Sequence, residues 1–109
     1  MFGKKKSKND SQNKKQLLTA YDRLETVFVS EKSDEQLFRM CDSLLSGKPV
    51  LANLEKLSAA ECNYMLSFMS GVVYATDGEV IKVGAKSFLF ARKEEFEDGT
   101  LKQYIEDIK

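Results

Sequence analysis

Two capping boxes, Ser33-Asp34-Glu35-Gln36 and Ser58-Ala59-Ala60-Glu61, constrain this chain more than any other feature of its sequence. In such a box the serine hydroxyl accepts from an orphan amide, and the side chain three residues on reaches back to the cap. Each box opens an apolar stripe at helical spacing. Leu37, Met40, Cys41, Leu44 and Leu45 follow the first, and Tyr64, Met65, Phe68, Met69 and Val72 follow the second. Gly47 with Pro49 ends the first stripe, and Gly71 is placed to end the second. A short strand-like run precedes each box: Thr26-Val27-Phe28-Val29, and Val50-Leu51-Ala52-Asn53-Leu54. The order is strand, helix, strand, helix. Strands joined through a helix require a crossover, so these two are predicted to be parallel and linked with a right hand.

Beyond Gly71 the period turns strand-like, with Val72-Val73-Tyr74-Ala75-Thr76, then Asp77-Gly78, then Glu79-Val80-Ile81-Lys82-Val83. Asp-Gly between two such runs predicts a type I′ hairpin. Ser87-Phe88-Leu89-Phe90-Ala91 follows the Gly84-Ala85-Lys86 turn and extends an antiparallel meander. Thr100-Leu101-Lys102-Gln103 caps a last helix whose stripe is Leu101, Tyr104, Ile105 and Ile108. The predicted fold is an α/β (α+β) two-layer sandwich. It has a mixed sheet of about five strands, two main helices packed on it and a C-terminal helix.

The remaining sequence divides by charge. Formal charge balances over the 109 residues at 17 Lys+Arg against 17 Asp+Glu. Residues 1–20 carry Lys4, Lys5, Lys6, Lys8, Lys14 and Lys15 against Asp10 alone, so a basic head precedes an acidic body. Residues 1–13 have Met1 and Phe2 as their sizeable apolar groups, too few to offset ordering entropy. From Lys14 onward, Leu17, Leu18, Tyr21 and Leu24 recur at helical spacing. The expected division is 1–24, a basic flexible head with a short amphipathic helix, and 25–109, the α/β domain. A lysine-rich head points to an anionic partner or to a solvated tail, and composition leaves both open. No apolar run approaches the roughly 20 residues needed to span a bilayer, and the head lacks the apolar region of a signal peptide, so a cytoplasmic protein is expected.

Catalytic chemistry finds little support. Histidine is absent, and Cys41 and Cys62 sit where a small hydrophobe would pack. No glycine-rich phosphate loop occurs, and Ser67 and Ser70 have no base to activate them. Glu94, Glu95, Glu97 and Asp98 precede a helix, where acidic residues complement its dipole. The expectation is a non-enzyme with no metal and no cofactor. Phe88 and Phe90 on one strand, with Lys82 and Lys86 nearby, have the look of a base-stacking sheet. Positive charge is concentrated in the head rather than on the body, however, and no nucleic-acid partner is expected. A nucleic-acid- or small-ligand-binding regulatory module with a basic tail stays open as the alternative to a binding or assembly protein.

From Ser33 onward the order of motifs resembles the SepF family of cell-division proteins. The residues that carry the resemblance are Val50 to Leu54, Phe68-Met69-Ser70-Gly71, Val73-Tyr74-Ala75, Gly78-Glu79, Val83-Gly84, Phe88-Leu89 and Gly99-Thr100. The resemblance implies a homodimer, possible to extend into a higher polymer, that binds the C-terminal tail of the tubulin-like protein FtsZ. It would tether or align FtsZ filaments at the membrane during septum formation. It also implies a hydrophobic tail-binding pocket near the last strands, with Phe88, Lys82 and Phe90 as candidates. Phe68, Gly71, Asp77 and Gly78 are candidates for self-assembly or the dimer interface, and Asp77-Gly78 stands where the family often has Gly-Gly. Met1, Phe2, Lys4, Lys5 and Lys6 are candidates for contact with an anionic membrane surface, which would place the protein at the division site on the inner face of the cell membrane.

Overall fold

The computed structural model describes residues 18–108. Four strands and three α-helices form in the order β1 (Glu25–Phe28), α1 (Asp34–Leu45), β2 (Val50–Asn53), α2 (Ala59–Ala75), β3 (Glu79–Lys82), β4 (Ser87–Ala91) and α3 (Thr100–Ile108). Single 3-10 turns lie at Tyr21–Arg23 and Lys93–Phe96. The sheet order is β1-β2-β4-β3. β1 runs parallel to β2, and β4 pairs antiparallel with both β2 and β3. The mixed sheet and the parallel first pair are as the sequence predicts.

Both capping serines act as expected, though only one box closes. Ser58 accepts from the Glu61 amide while the Glu61 carboxylate accepts from the Ser58 amide. Ser33 accepts from the Gln36 amide, but the Gln36 side chain donates to the Phe28 carbonyl at 3.4 Å instead of returning to the cap.

The predicted strand at Val72–Thr76 does not form, and Gly71 does not end α2. The helix continues through Gly71 to Ala75, because Val73 is buried in the same core as Cys62, Met65 and Met69. Tertiary burial overrides the β-preference of two adjacent valines. The Asp77-Gly78 pair is therefore a helix terminator rather than a hairpin turn. The Asp77 amide donates to the Tyr74 carbonyl and the Gly78 amide to the Val73 carbonyl, with Asp77 at φ +56°, which is a Schellman cap. A type I′ turn would put a positive φ at both residues; Asp77 has one and Gly78 does not, and the structure they close is a helix end rather than a hairpin. α1 ends in the same way, with Gly47 at φ +97° and the Lys48 amide bonded to the Ser43 carbonyl.

Two further expectations change at the chain's ends. Leu18 and Thr19 lie outside any helix and Tyr21–Arg23 is a single 3-10 turn, so the described part of 14–24 is not an amphipathic α-helix. Its first part, residues 14–17, falls outside the described residues. Thr100 does not cap α3; its amide and hydroxyl both donate to Asp98, which holds the entry to the helix.

Strand parity divides the sheet into two faces. Val27, Val50, Ala52, Phe88 and Phe90 face the helical layer and join the stripes of α1 and α2 in one core. The opposite face carries Phe28, Leu51, Leu89 and Ile81, with Ala91 at one end under Leu101 of α3, beside Ala20 and Phe96. Phe28 is 51% exposed there, so α3 covers this face in part.

Candidate functional site

The sequence-derived binding candidates fall together on the helical side of the sheet. Lys82 of β3 and Phe88 of β4 are register partners on adjacent strands and so share a face. Lys82 is exposed, while Phe88 is half-buried and packs against the core. Phe90 is different. At 1% exposure it fills the core beneath, where it pairs across to Val50 and Val80 and offers no surface of its own. A cationic head beside a partly open aromatic ring, on a rigid pair of strands, suits an extended peptide that carries both apolar and acidic groups.

α2 supplies the second group. Between Ala59 and Ala75 its sole charged side chain is Glu61, so the helix is apolar or small on nearly every side. An amphipathic surface helix has one polar face; a helix apolar all round is built to be covered. The uncovered side carries Tyr64, Phe68 and Tyr74, exposed by 41%, 40% and 85%. A Cβ placed on Gly71 meets nothing within 4 Å, so this glycine opens a gap on the surface rather than relieving a clash. The Phe68 ring lies 5.8 Å from that of Phe38 on α1, and Phe38 is itself half exposed. Next to them Tyr64 donates to Asp34 at 3.0 Å and takes the Lys32 ammonium over its ring at 4.3 Å. The carboxylate beside the phenol raises the Tyr64 pKa.

Asp77 and Gly78 sit at the end of this same helix. The position of Gly78 has a structural cause: a Cβ there would lie 2.1 Å from the Ala91 carbonyl oxygen, so β3 and β4 could not keep their spacing. The membrane candidates Met1, Phe2, Lys4, Lys5 and Lys6 lie outside the described residues. No described helix is long and apolar enough to cross a membrane.

A family model described as "Cell division protein SepF" matches residues 27–94, the span from β1 to the turn after β4. This chain belongs to the SepF family. Among proteins named Cell division protein SepF, that of Caldanaerobacter subterraneus subsp. tengcongensis is 35% identical over 71 residues, covering 65% of this chain and 53% of the relative. The protein of Halalkalibacterium halodurans is 27% identical over 105 residues, 96% of this chain and 70% of the relative. That of Natranaerobius thermophilus is 46% identical over a shorter stretch of 48 residues. This chain thus spans between half and two thirds of the length of several of its SepF relatives. The matched span contains Lys82, Phe88, Phe68, Gly71, Asp77 and Gly78, and stops short of α3.

Sequence reasoning missed one cluster. Glu95, read from the sequence as one of the acidic residues that complement the dipole of the last helix, is 3% exposed and bonded at 2.7 Å to both Arg23 and Arg92. The spacing of Arg92 and Glu95 was a local signal for one of these pairs. Nothing local signalled Arg23.

Proposed function

We propose that this SepF-family chain is a non-enzymatic cell-division adaptor that pairs with a second copy and takes the C-terminal tail of FtsZ beside the seam between the two. The observation that carries the reading is the Lys82–Phe88 step, a cation and a half-buried aromatic ring side by side on the helical face of two paired strands. α2 lies over β3 and β4, so a second copy packed on Tyr64, Phe68 and Gly71 would come down next to that step and could supply the far wall of a groove. The apolar remainder of the sheet, around Phe28 and Ile81, leaves a surface on the other side for association beyond the dimer. The basic head, with Phe2 and Lys4 to Lys6, supplies attraction to an anionic membrane at about 1 kcal/mol per lysine near the surface. That is enough for reversible, salt-sensitive attachment at the division site.

The test is titration of the full chain against a labelled FtsZ C-terminal tail peptide, with Phe88→Ala and Lys82→Glu in parallel. Saturable binding that both variants lose, with their folds intact by circular dichroism, is the expected result. Binding unchanged in both refutes the assignment of the groove. A Gly71→Lys variant should sediment as a monomer at concentrations where the parent is a dimer; if it stays dimeric, the α2 face is not the seam. Pelleting with anionic vesicles that survives high salt would refute the electrostatic account of the head.

A further inference from the structure

β1 lies at one edge of the sheet, and half of its backbone has no strand beside it. The Glu25 amide donates to the Pro49 carbonyl at 2.9 Å and the Val29 amide to the Asn53 carbonyl at 3.0 Å, so residues 25, 27 and 29 turn toward β2. By the two-residue period of a strand, Thr26 and Phe28 turn their amides and carbonyls outward. Among the described residues one group reaches this outer edge, the Gln36 side-chain amide, which donates to the Phe28 carbonyl at 3.4 Å. Natural edges are commonly guarded by charge. The other edge strand, β3, carries Glu79 and Lys82. In β1 the one charged side chain, Glu25, is drawn aside by the Ser43 hydroxyl at 2.7 Å and by Lys48 at 3.4 Å, while Phe28 stands 51% exposed.

The sequence of β1 selects the strand that fits this edge. In an antiparallel pair, outward-turned residues must stand opposite one another to exchange two hydrogen bonds. A second copy of β1, related by a two-fold axis at Val27, sets Thr26 opposite Phe28 and Phe28 opposite Thr26, so every outward amide and carbonyl of both strands is bonded. A carbonyl has two lone pairs, so the Gln36 contact can stay. Val27 then faces Val27, and Glu25 faces Val29, with no like charges opposed. The neighbouring registers fail. Centring the axis on Thr26 calls on the Leu24 amide, which is already bonded to the Tyr21 carbonyl at 3.1 Å. Centring it on Phe28 sets Glu25 against Glu31. Between β1 and α1 lies a cleft of about 460 Å³ with Val27, Met40, Arg39 and Asp42 in its wall. It has room for the second copy's Val27, and a wall that carries one charge of each sign is self-complementary across a two-fold. We propose that β1 pairs antiparallel with β1 of a second copy about a two-fold axis at Val27, each four-stranded sheet continuing into the other. The pairing uses no residue of α2 and stands without the α2 seam.

The amides of Thr26 and Phe28 report on it directly. The test uses the full chain carrying Gly71→Lys, which takes away any α2 seam. Backbone hydrogen exchange at these two amides should slow about tenfold between dilute and concentrated protein, while that of Val29, bonded to Asn53, stays unchanged. Thr26→Pro deletes one outward donor without touching the bonds to β2, and should remove the concentration dependence at Phe28. Should that variant fail to fold, cross-linking decides the matter. Directly opposed residues of a non-hydrogen-bonded pair stand about 4.5 Å apart at Cα, within disulfide reach, so Val27→Cys should give a covalent dimer with oxidised glutathione. Phe28→Cys should not, because residue 28 faces Thr26; Cys41 and Cys62 are buried and do not compete. Exchange at Thr26 and Phe28 that is independent of concentration would overturn the pairing. So would a covalent dimer formed as readily by Phe28→Cys as by Val27→Cys.

Discussion

Removing the Glu95 carboxylate is the sharpest test of how the body is held together. Glu95 is 3% exposed, with Oε1 at 2.7 Å from Arg23 Nη2 and Oε2 at 2.7 Å from Arg92 Nε. Both guanidiniums reach past it to the end of α1, Arg23 Nε donating to the Gly47 carbonyl at 3.0 Å and Arg92 Nη1 approaching the Leu45 carbonyl at 3.5 Å. One carboxylate therefore joins the strap of residues 18–24, which lies along α3, to the turn after β4 and the C-terminus of α1. Each charge-assisted hydrogen bond is worth about 1.5–3 kcal/mol, and orphaning a buried ionic partner costs about 3–5 kcal/mol. The arginine side chains retain 33% and 26% exposure and can turn partly to water, which lowers the second figure. Glu95→Ala should then cost about 3 kcal/mol. For a domain of this size that is a fall in Tm of about 15 °C, read by far-UV circular dichroism. Glu95→Gln keeps one acceptor and should fall between parent and alanine variant. In the Glu95→Ala background a further Arg23→Ala should cost under about 1 kcal/mol, because its main partner is gone. A Glu95→Ala protein melting within a few degrees of the parent would refute the claim that this carboxylate joins the three segments.

Four other outcomes follow from particular contacts. Asp77→Gly should raise stability by about 1 kcal/mol in urea denaturation, since Asp77 holds φ +56° at the Schellman position of α2, where a side chain is strained. Gly78→Ala should lose about 1–3 kcal/mol in the same assay, because its Cβ would be driven against the Ala91 carbonyl. The Thr100 and Ala20 amides hold the Asp98 pKa below the ordinary carboxylate value, and the Ser43 hydroxyl, then Lys48, lower that of Glu25. A depressed folded-state pKa contributes stability that is complete above the unfolded pKa and is lost as pH falls through the folded one. Acid titration of the urea midpoint should accordingly show a falling limb that flattens in Asp98→Asn. Burial, then Asp42, raises the Cys41 thiol pKa, so alkylation of this buried cysteine at neutral pH should be slow until urea unfolds the chain.

What the sequence made legible was what local chemistry decides. The two serine caps, the α1 stripe and its Gly47 stop needed no knowledge of the rest of the chain, and each stands where it was read save Leu45, the last residue of that stripe, which is 53% exposed. The reading failed where a local signal admits two structures. Asp77-Gly78 announces a positive φ, but a Schellman cap and a type I′ turn both require one. What separates them is whether Val72 and Val73 pack on a core built by residues far away in sequence. Lys82 and Phe88 could be nominated because the family resemblance pointed to them, but their shared face depends on the β3–β4 register. Phe90 alternates with Leu89 and so reads like Phe88 in sequence, yet one is buried under the helices and the other stands at the margin. Parity assigns a face; it does not say how far along the strand the covering layer extends.

The same limit explains why the strap and α3 were the least legible part of the chain and carry its most specific long-range contacts. Ala20 to Asp98, Tyr21 to Thr100 and Arg23 to Glu95 each join groups more than seventy residues apart. No periodicity or turn chemistry announces such pairs, because each partner alone is an ordinary polar residue in a polar stretch. Closing so long a loop is entropically unfavourable, by an amount that grows slowly with its length, so the contacts must form as a group to be retained. Asp98 shows that grouping directly: the same carboxylate that opens α3 through Thr100 also accepts from Ala20, so ordering the helix start and docking the strap stabilise each other. Loss of α3 should therefore release residues 18–24 together rather than loosen them singly, and backbone hydrogen exchange of Ala20 and Tyr21 in an Asp98→Ala variant would measure that coupling. Rapid exchange at both amides is the expected outcome. Protection retained at Tyr21 while Ala20 exchanges would show instead that the Thr100 bond stands by itself.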